Sequence, residues 1–189
     1  MSSHHIIREN QEPALFVADY HSVSEEHLGQ LLEWSPTLLT LESQYDFLQA
    51  ASIKVDVLLS SEETIEKLEE HTVLIPYQQS YWEALFRYLE EKNNRNIHIL
   101  CQDLDVEALR PWFGRFTMNV LSGDRKILFQ KAYHKWLPKG FILEVQQIAE
   151  SALDVSNVRA IANARYEVLA DGFVIIPEQN EYLVISEEL

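Results

Sequence analysis

The chain is poor in glycine, with five in 189 residues, and it carries a single cysteine, Cys101. Gly29, Gly114, Gly123, Gly140 and Gly172 are too far apart to write a Walker loop or a G-x-G-x-x-G turn, so these phosphate-cradling loops are excluded. No G-x-S-x-G elbow is present, which leaves a hydrolase of that type unsupported. One cysteine rules out an intramolecular disulfide framework and points to a reducing compartment, the cytoplasm by default. The seven histidines have no i, i+4 pair and no cysteine at ligand spacing, so a zinc site is not expected. Positive charge is also scarce: 15 Lys and Arg stand against 30 Asp and Glu, a net charge of −15. A surface of that sign repels a phosphate backbone, so neither nucleic acid nor an anionic membrane is an expected partner. No apolar run approaches the roughly 20 residues of a spanning helix, and the polar start from Met1 to Pro13 lacks a signal peptide's apolar core. A soluble cytoplasmic protein is the expectation.

What the chain does have is apolar content of 47%, enough for one large or two small cored domains. Ala14 to Asp19 begins with a continuous apolar run, the pattern of a strand buried on both faces. Ser22-Val23-Ser24-Glu25-Glu26 then offers an N-cap and first-turn acids to a helix whose inner face is Leu28, Leu31 and Leu32. Thr37 to Leu41 reads as a second strand, and Ser43 to Ser52 as a helix with Tyr45, Leu48 and Phe47 turned inward. Lys54 to Ser60 is the third strand, with a helix expected over Glu62 to Glu70. Thr72 to Pro76 is the fourth, before the amphipathic helix Gln79 to Lys92. Asn96 to Cys101 is the fifth strand, Asp103 to Trp112 a helix broken at Pro111, and Phe116 to Leu121 a sixth strand. Such alternation implies an α/β fold: a doubly wound, mostly parallel sheet with helices on both faces and its ligand cleft beyond the carboxyl ends of the strands.

Ser122-Gly123-Asp124 is turn chemistry, and beyond it the elements read as strands alone. The expected organisation is therefore an α/β domain over residues 1–122 and a small all-β, sandwich-like domain over 123–189. The expected β-domain strands are Lys126 to Gln130, Phe141 to Gln147, Val158 to Ala162, Arg165 to Leu169, Phe173 to Ile176 and Tyr182 to Ile185. Asp171-Gly172 is expected to turn a hairpin between two of them.

Carboxylates are the remaining carriers of chemistry: Asp19, Glu42, Asp46, Glu62, Glu63, Glu83, Asp103 and Asp105. Two or three on one cleft would hold Mg2+, a hard cation that takes oxygen ligands and bridges phosphates. Each also suits a helix's first turn, where an acid gains about 0.3–1 kcal/mol from the macrodipole. Tyr77, Tyr81, Trp82, Phe86 and Tyr88 read either as helix packing or as a stacking platform. Cys101, at a strand end, reads as a core thiol.

Three stretches carry a family resemblance. Glu42-Ser43-Gln44-Tyr45-Asp46-Phe47 follows the second strand. Ala51 to Leu59 runs into Ser60-Ser61-Glu62-Glu63-Thr64. Gln79-Ser80-Tyr81-Trp82-Glu83 follows the fourth strand. With the order of elements and the change to a β domain, these resemble thiamine pyrophosphokinase, a family that transfers pyrophosphate from ATP to thiamine. The family's Asp-Gly-Gly-Ala-Asn-Arg, Gly-Asp-x-Asp-Ser and Lys-Asp-x-Thr-Asp stretches fall on those residues with most of their glycines, lysines and arginines replaced.

The resemblance implies Glu63 and Glu83 as catalytic and metal-holding residues, and Glu42, Asp46 and Thr64 as cofactor contacts. Mg2+ and ATP are the cofactors of an active member; an inactive one needs none. It implies a homodimer and a small-molecule ligand, thiamine or a nucleotide, with transfer activity weak or lost. Three functional readings stay open on these residues: a divergent binding protein, a kinase with substituted ligands, and a non-catalytic structural or protein-interaction module. For the last, Trp112, Phe113, Tyr133 and Trp136 are the candidate contacts.

Overall fold

The computed structural model describes residues 12–66, 68–147 and 155–189, and the polar leader through Gln11 lies outside them. The chain divides into two units, Met1–Met118 and Asn119–Leu189. No helix among the described residues is long and apolar enough to cross a membrane.

The first unit is built on β1 (Ala14–Val17), all four of whose residues are buried. A 3-10 turn (Tyr20–Ser22) leads to α1 (Glu25–Leu32), whose N-cap Ser24 accepts a hydrogen bond from the His27 N–H. Then follow β2 (Leu38–Leu41), α2 (Glu42–Ala50), β3 (Val57–Ser60) and β4 (Val73–Pro76). The amphipathic α3 (Tyr81–Glu91), β5 (Asn96–Leu100), the short α4 (Val106–Leu109) and a 3-10 turn at Arg110–Trp112 come next. The strands lie in the order β4-β3-β2-β1-β5 and every pairing is parallel. Right-handed crossovers place α1 and α2 on one face and α3 on the other. Packing agrees, since Phe16 meets Trp82 of α3 with ring centroids 5.6 Å apart while its neighbour Leu15 lines a hollow with Leu31 of α1.

The helix expected over Glu62 to Glu70 is not formed: the described residues there are bends, turns and extended chain. Among the described residues there only Ile65 and Leu68 are even half-buried, too small an apolar face to repay helix nucleation, and the acids repel one another. Ser60 instead closes a local turn, its Oγ accepting the Glu62 N–H at 2.8 Å. Phe47, expected inward on α2, is 47% exposed, whereas Tyr45 and Leu48 are buried.

β6 (Thr117–Ser122) and β7 (Arg125–Gln130) pair through Ser122↔Arg125, so the Gly123-Asp124 turn closes a hairpin rather than linking domains. Gly123 has φ +61°, a conformation that favours glycine. The division into units falls between Met118 and Asn119. All described regular elements of the second unit are strands: β8 (Tyr133–Leu137), β9 (Ile142–Gln147), β10 (Val158–Ala162), β11 (Arg165–Val168), β12 (Gly172–Ile176) and β13 (Leu183–Glu188). One antiparallel sheet runs β7-β13-β9-β11-β10, and β8 pairs with β12 in a separate ribbon. Both sheets feed one core that includes Tyr133, Leu143, Val174 and Ile185. β8 escapes a sequence reading because only Tyr133 and Leu137 point inward, while Trp136 is 53% exposed. Asp171-Gly172 does not turn a hairpin: β11 and β12 lie in different sheets, and the Asp171 carboxylate accepts the Lys139 N–H at 2.7 Å.

Phe86 of α3 is fully buried against Trp112 and Phe116, at 4.7 and 4.8 Å between ring centroids. Phe86→Ala is expected to destabilise the protein by about 3–5 kcal/mol in urea unfolding, the range for emptying a well-packed aromatic site. A loss below about 1 kcal/mol would show that this stack does not carry the core.

Candidate functional site

The chain steps from β1 to β2, β3 and β4 in one direction, then returns past β1 to β5. β1 and β5 are therefore the switch point at which an open parallel sheet leaves a crevice beyond its carboxyl ends. The ladder there runs past the strands: the N–H groups of Ala18 and Asp19 both donate to the Leu100 carbonyl, at 2.9 and 3.0 Å. Asp19 caps the following 3-10 turn, its carboxylate accepting the His21 N–H at 2.9 Å. The Tyr20 N–H donates to Gln44 Oε1 at 2.9 Å, which ties this turn to α2.

Two aromatic groups flank the crevice. On the α2 side Tyr20 stacks nearly parallel to Phe47 at 6.1 Å, and His21 meets Phe47 edge-on at 5.3 Å. On the α3 side Tyr77 and Tyr81 make a T-shaped pair at 6.0 Å, with Tyr81 also packed on Phe16. Tyr81 has its phenol pKa raised, by burial first and then by the neighbouring Cys101, Tyr77 and Asp105. Burial, followed by the carboxylates of Asp103 and Asp19, pushes the Cys101 thiol up to about 11. Its Sγ–H donates to the Asp103 carbonyl at 3.2 Å.

The charge of this end of the sheet is one-sided. The residues at the carboxyl ends of the five strands (18–24, 42–47, 60–64, 77–83 and 101–107) include no Lys, no Arg and no Gly; Lys67, Arg110, Gly114 and Arg115 come later in the β3–β4 and β5–β6 connections. These segments carry Asp19, Glu42, Asp46, Glu62, Glu63, Glu83, Asp103, Asp105 and Glu107, with His21 as the one basic side chain.

The residues expected to act come from three elements. Glu42 is the first residue of α2, directly after β2, and its carboxylate accepts the Ser60 hydroxyl proton. Asp46 is exposed on α2, and Glu63 and Thr64 are exposed in the β3–β4 connection. Glu83, in the first turn of α3, is ion-paired to Arg87 at 2.6 Å. Among the described residues no group of three or more His, Cys, Asp or Glu could hold a metal ion, so Glu42, Glu63 and Glu83 do not form one. Trp82 and Phe86 are core residues, and only Tyr77 and Tyr81 of the expected aromatic set reach the crevice. Trp112 packs on Phe86, Phe113 is half-buried and Tyr133 is buried, which leaves Trp136 the exposed member of the expected interface set. The Tyr20–His21–Phe47 group has no signal in the sequence, because residues far apart in the chain meet only through the way α2 follows β2.

Cys101 keeps its proton to higher pH folded than unfolded, so this group's contribution to stability is complete below about pH 9 and is lost as the pH rises toward 11. Native protein should resist a thiol-specific disulfide reagent at pH 9 and react as the pH approaches about 11 or on unfolding. Rapid labelling of native protein at pH 9 would contradict this placement of the thiol.

No protein-family profile matches the chain, and no curated protein matches it by sequence. Solved structures do. Thiamine pyrophosphokinase from Bacillus subtilis superposes with a TM-score of 0.64 at 10% identity, covering 93% of this chain and 98% of that one. A probable thiamine pyrophosphokinase from Staphylococcus saprophyticus gives 0.67 at 10% identity, with the same coverage. Thiamin pyrophosphokinase from Candida albicans gives 0.60 at 9% identity, over 93% of this chain and 90% of that one. The chain has the fold of the thiamine pyrophosphokinases over nearly its whole length.

Proposed function

We propose that this chain is a thiamine pyrophosphokinase-fold protein that binds thiamine in the carboxyl-end crevice and does not transfer pyrophosphate to it. The observation that carries this reading is the composition of the short segments at the carboxyl ends of the five strands (residues 18–24, 42–47, 60–64, 77–83 and 101–107), which hold nine carboxylates and no Lys, Arg or Gly. Pyrophosphoryl transfer is achieved by positioning phosphates and neutralising the charge that develops on them, with cationic side chains, backbone N–H groups and Mg2+. Those segments offer neither cations nor glycine-lined backbone for a triphosphate. Among the described residues no group of three or more carboxylate, His or Cys side chains could hold a metal ion, and Arg87 engages Glu83. The residues present therefore do not suit Mg-ATP.

Thiamine itself carries a positive thiazolium ring. An acidic crevice attracts it, and Tyr20, Phe47, Tyr77 and Tyr81 supply faces on which flat rings pack. In this reading the protein is cytoplasmic and homodimeric. A second reading, a protein-interaction module on the same fold, is favoured by the outer face of the β8–β12 ribbon, where Trp136, Phe173 and Ile175 are all exposed.

Calorimetric titration with thiamine is expected to give saturable heat, and Mg-ATP none. Incubation with both should release no AMP. Turnover that disappears in Glu83→Gln would establish a kinase and overturn the proposal. No heat from thiamine would leave the interaction-module reading in its place.

A further inference from the structure

A second hollow lies at the other end of the same strands. Glu12 and Pro13 immediately precede β1, and Trp34 and Pro36 lie between α1 and β2, so these residues gather at the amino-terminal end of the sheet. With Leu15 and Leu31 they wall a cavity of about 360 Å³. His98 of β5 joins them because Leu15 is in register with it, and residues in register on parallel neighbours share a face. The volume lies within the roughly 300–1,000 Å³ typical of small-molecule pockets, as does a lining of mostly apolar walls with a few polar groups.

Two features indicate what would fill it. Trp34 is 69% exposed beside apolar walls, held there by a turn in which the Ser35 N–H donates to the Leu32 carbonyl at 2.9 Å and Ser35 adopts φ +51°. An indole left in water beside an apolar hollow gains free energy when a flat group covers it. Glu12 is half-buried, and among the described residues its carboxylate has no hydrogen-bond or ion-pair partner. Its backbone carbonyl, by contrast, is held by Asn94 Nδ2 at 3.2 Å, which fixes where the side chain starts. A carboxylate against apolar walls is stabilised by a cation, and the indole face attracts the same charge.

We propose that this pocket binds a small flat aromatic cation, an arylalkylammonium or a protonated heteroaromatic amine, with its ring on Trp34 and its charge toward Glu12. The site is separate from the carboxyl-end crevice and does not depend on the thiamine reading. An anion of the same shape is rejected, since Glu12 and a net charge of −15 both oppose it.

The test is calorimetric titration of the full chain with tryptamine, and with indole-3-acetate as the same ring bearing the opposite charge. Tryptamine binds and indole-3-acetate does not. Glu12→Gln and Trp34→Ala each weaken tryptamine about tenfold or more, while Trp34→Phe, which keeps a ring, retains most of the affinity. Urea midpoints equal to the parent's identify these as losses of binding rather than of fold. Phe47→Ala, in the other crevice, separates the two sites: tryptamine binding that is lost there and kept in Trp34→Ala overturns the proposal. So does equal binding of the two probes, or no heat from tryptamine at all.

Discussion

The dryness of β1 on both faces is the constraint on which the first unit depends. Ala14, Leu15, Phe16 and Val17 are all buried, and none has a polar side chain, so the strand is stable only between two others and beneath helices on both sides. β2 and β5 satisfy its backbone in register, and Phe16 and Leu15 call for α3 and α1 respectively. With β1 central and its neighbours reached by opposite routes, a crevice beyond its carboxyl end follows from connectivity alone. Topology sets that location whatever residues surround it, so the fold and the chemistry of this protein are separate questions.

The chemistry is set by charge. A phosphate-handling site at strand ends needs glycine so that backbone N–H groups approach, and cations so that developing charge is neutralised. Here the segments at the strand ends carry acids and aromatic rings instead. The acids that are held are held locally: Glu42 by Ser60, Glu83 by Arg87, Glu107 by Arg110, and Asp19 and Asp105 by the turns they cap. Acids and aromatic rings at this end of the sheet are the basis of the proposal that it takes a cationic ring rather than a polyphosphate.

Legibility in the sequence followed how local the determining interaction is. β1 was readable as an unbroken apolar run, α1 from the Ser24 cap, and the inward side of α2 from Tyr45 and Leu48. The helix expected over Glu62 to Glu70 failed because a first-turn acid pattern was present while a buried face was not. β8 was hidden by outward residues, His134 and Trp136, that are as bulky as its inward ones. The Asp171-Gly172 turn has hairpin composition, yet the partner of each flanking strand is chosen by the sheet rather than by the turn. At the crevice, the acidity of the strand ends was visible, but the Tyr20–His21–Phe47 group was not. It rests on a hydrogen bond between Tyr20 and Gln44 that no spacing rule anticipates.

If the carboxyl ends of the strands select positive charge, thiamine and thiamine diphosphate should bind there with different affinities. The two share their rings and differ in a diphosphate, so the difference in affinity reads the sign of the field where the phosphates would lie. Titrated at one pH without Mg2+ over a range of salt, thiamine is predicted to bind more tightly, with the gap narrowing as ionic strength rises. Tighter binding of thiamine diphosphate would contradict the account.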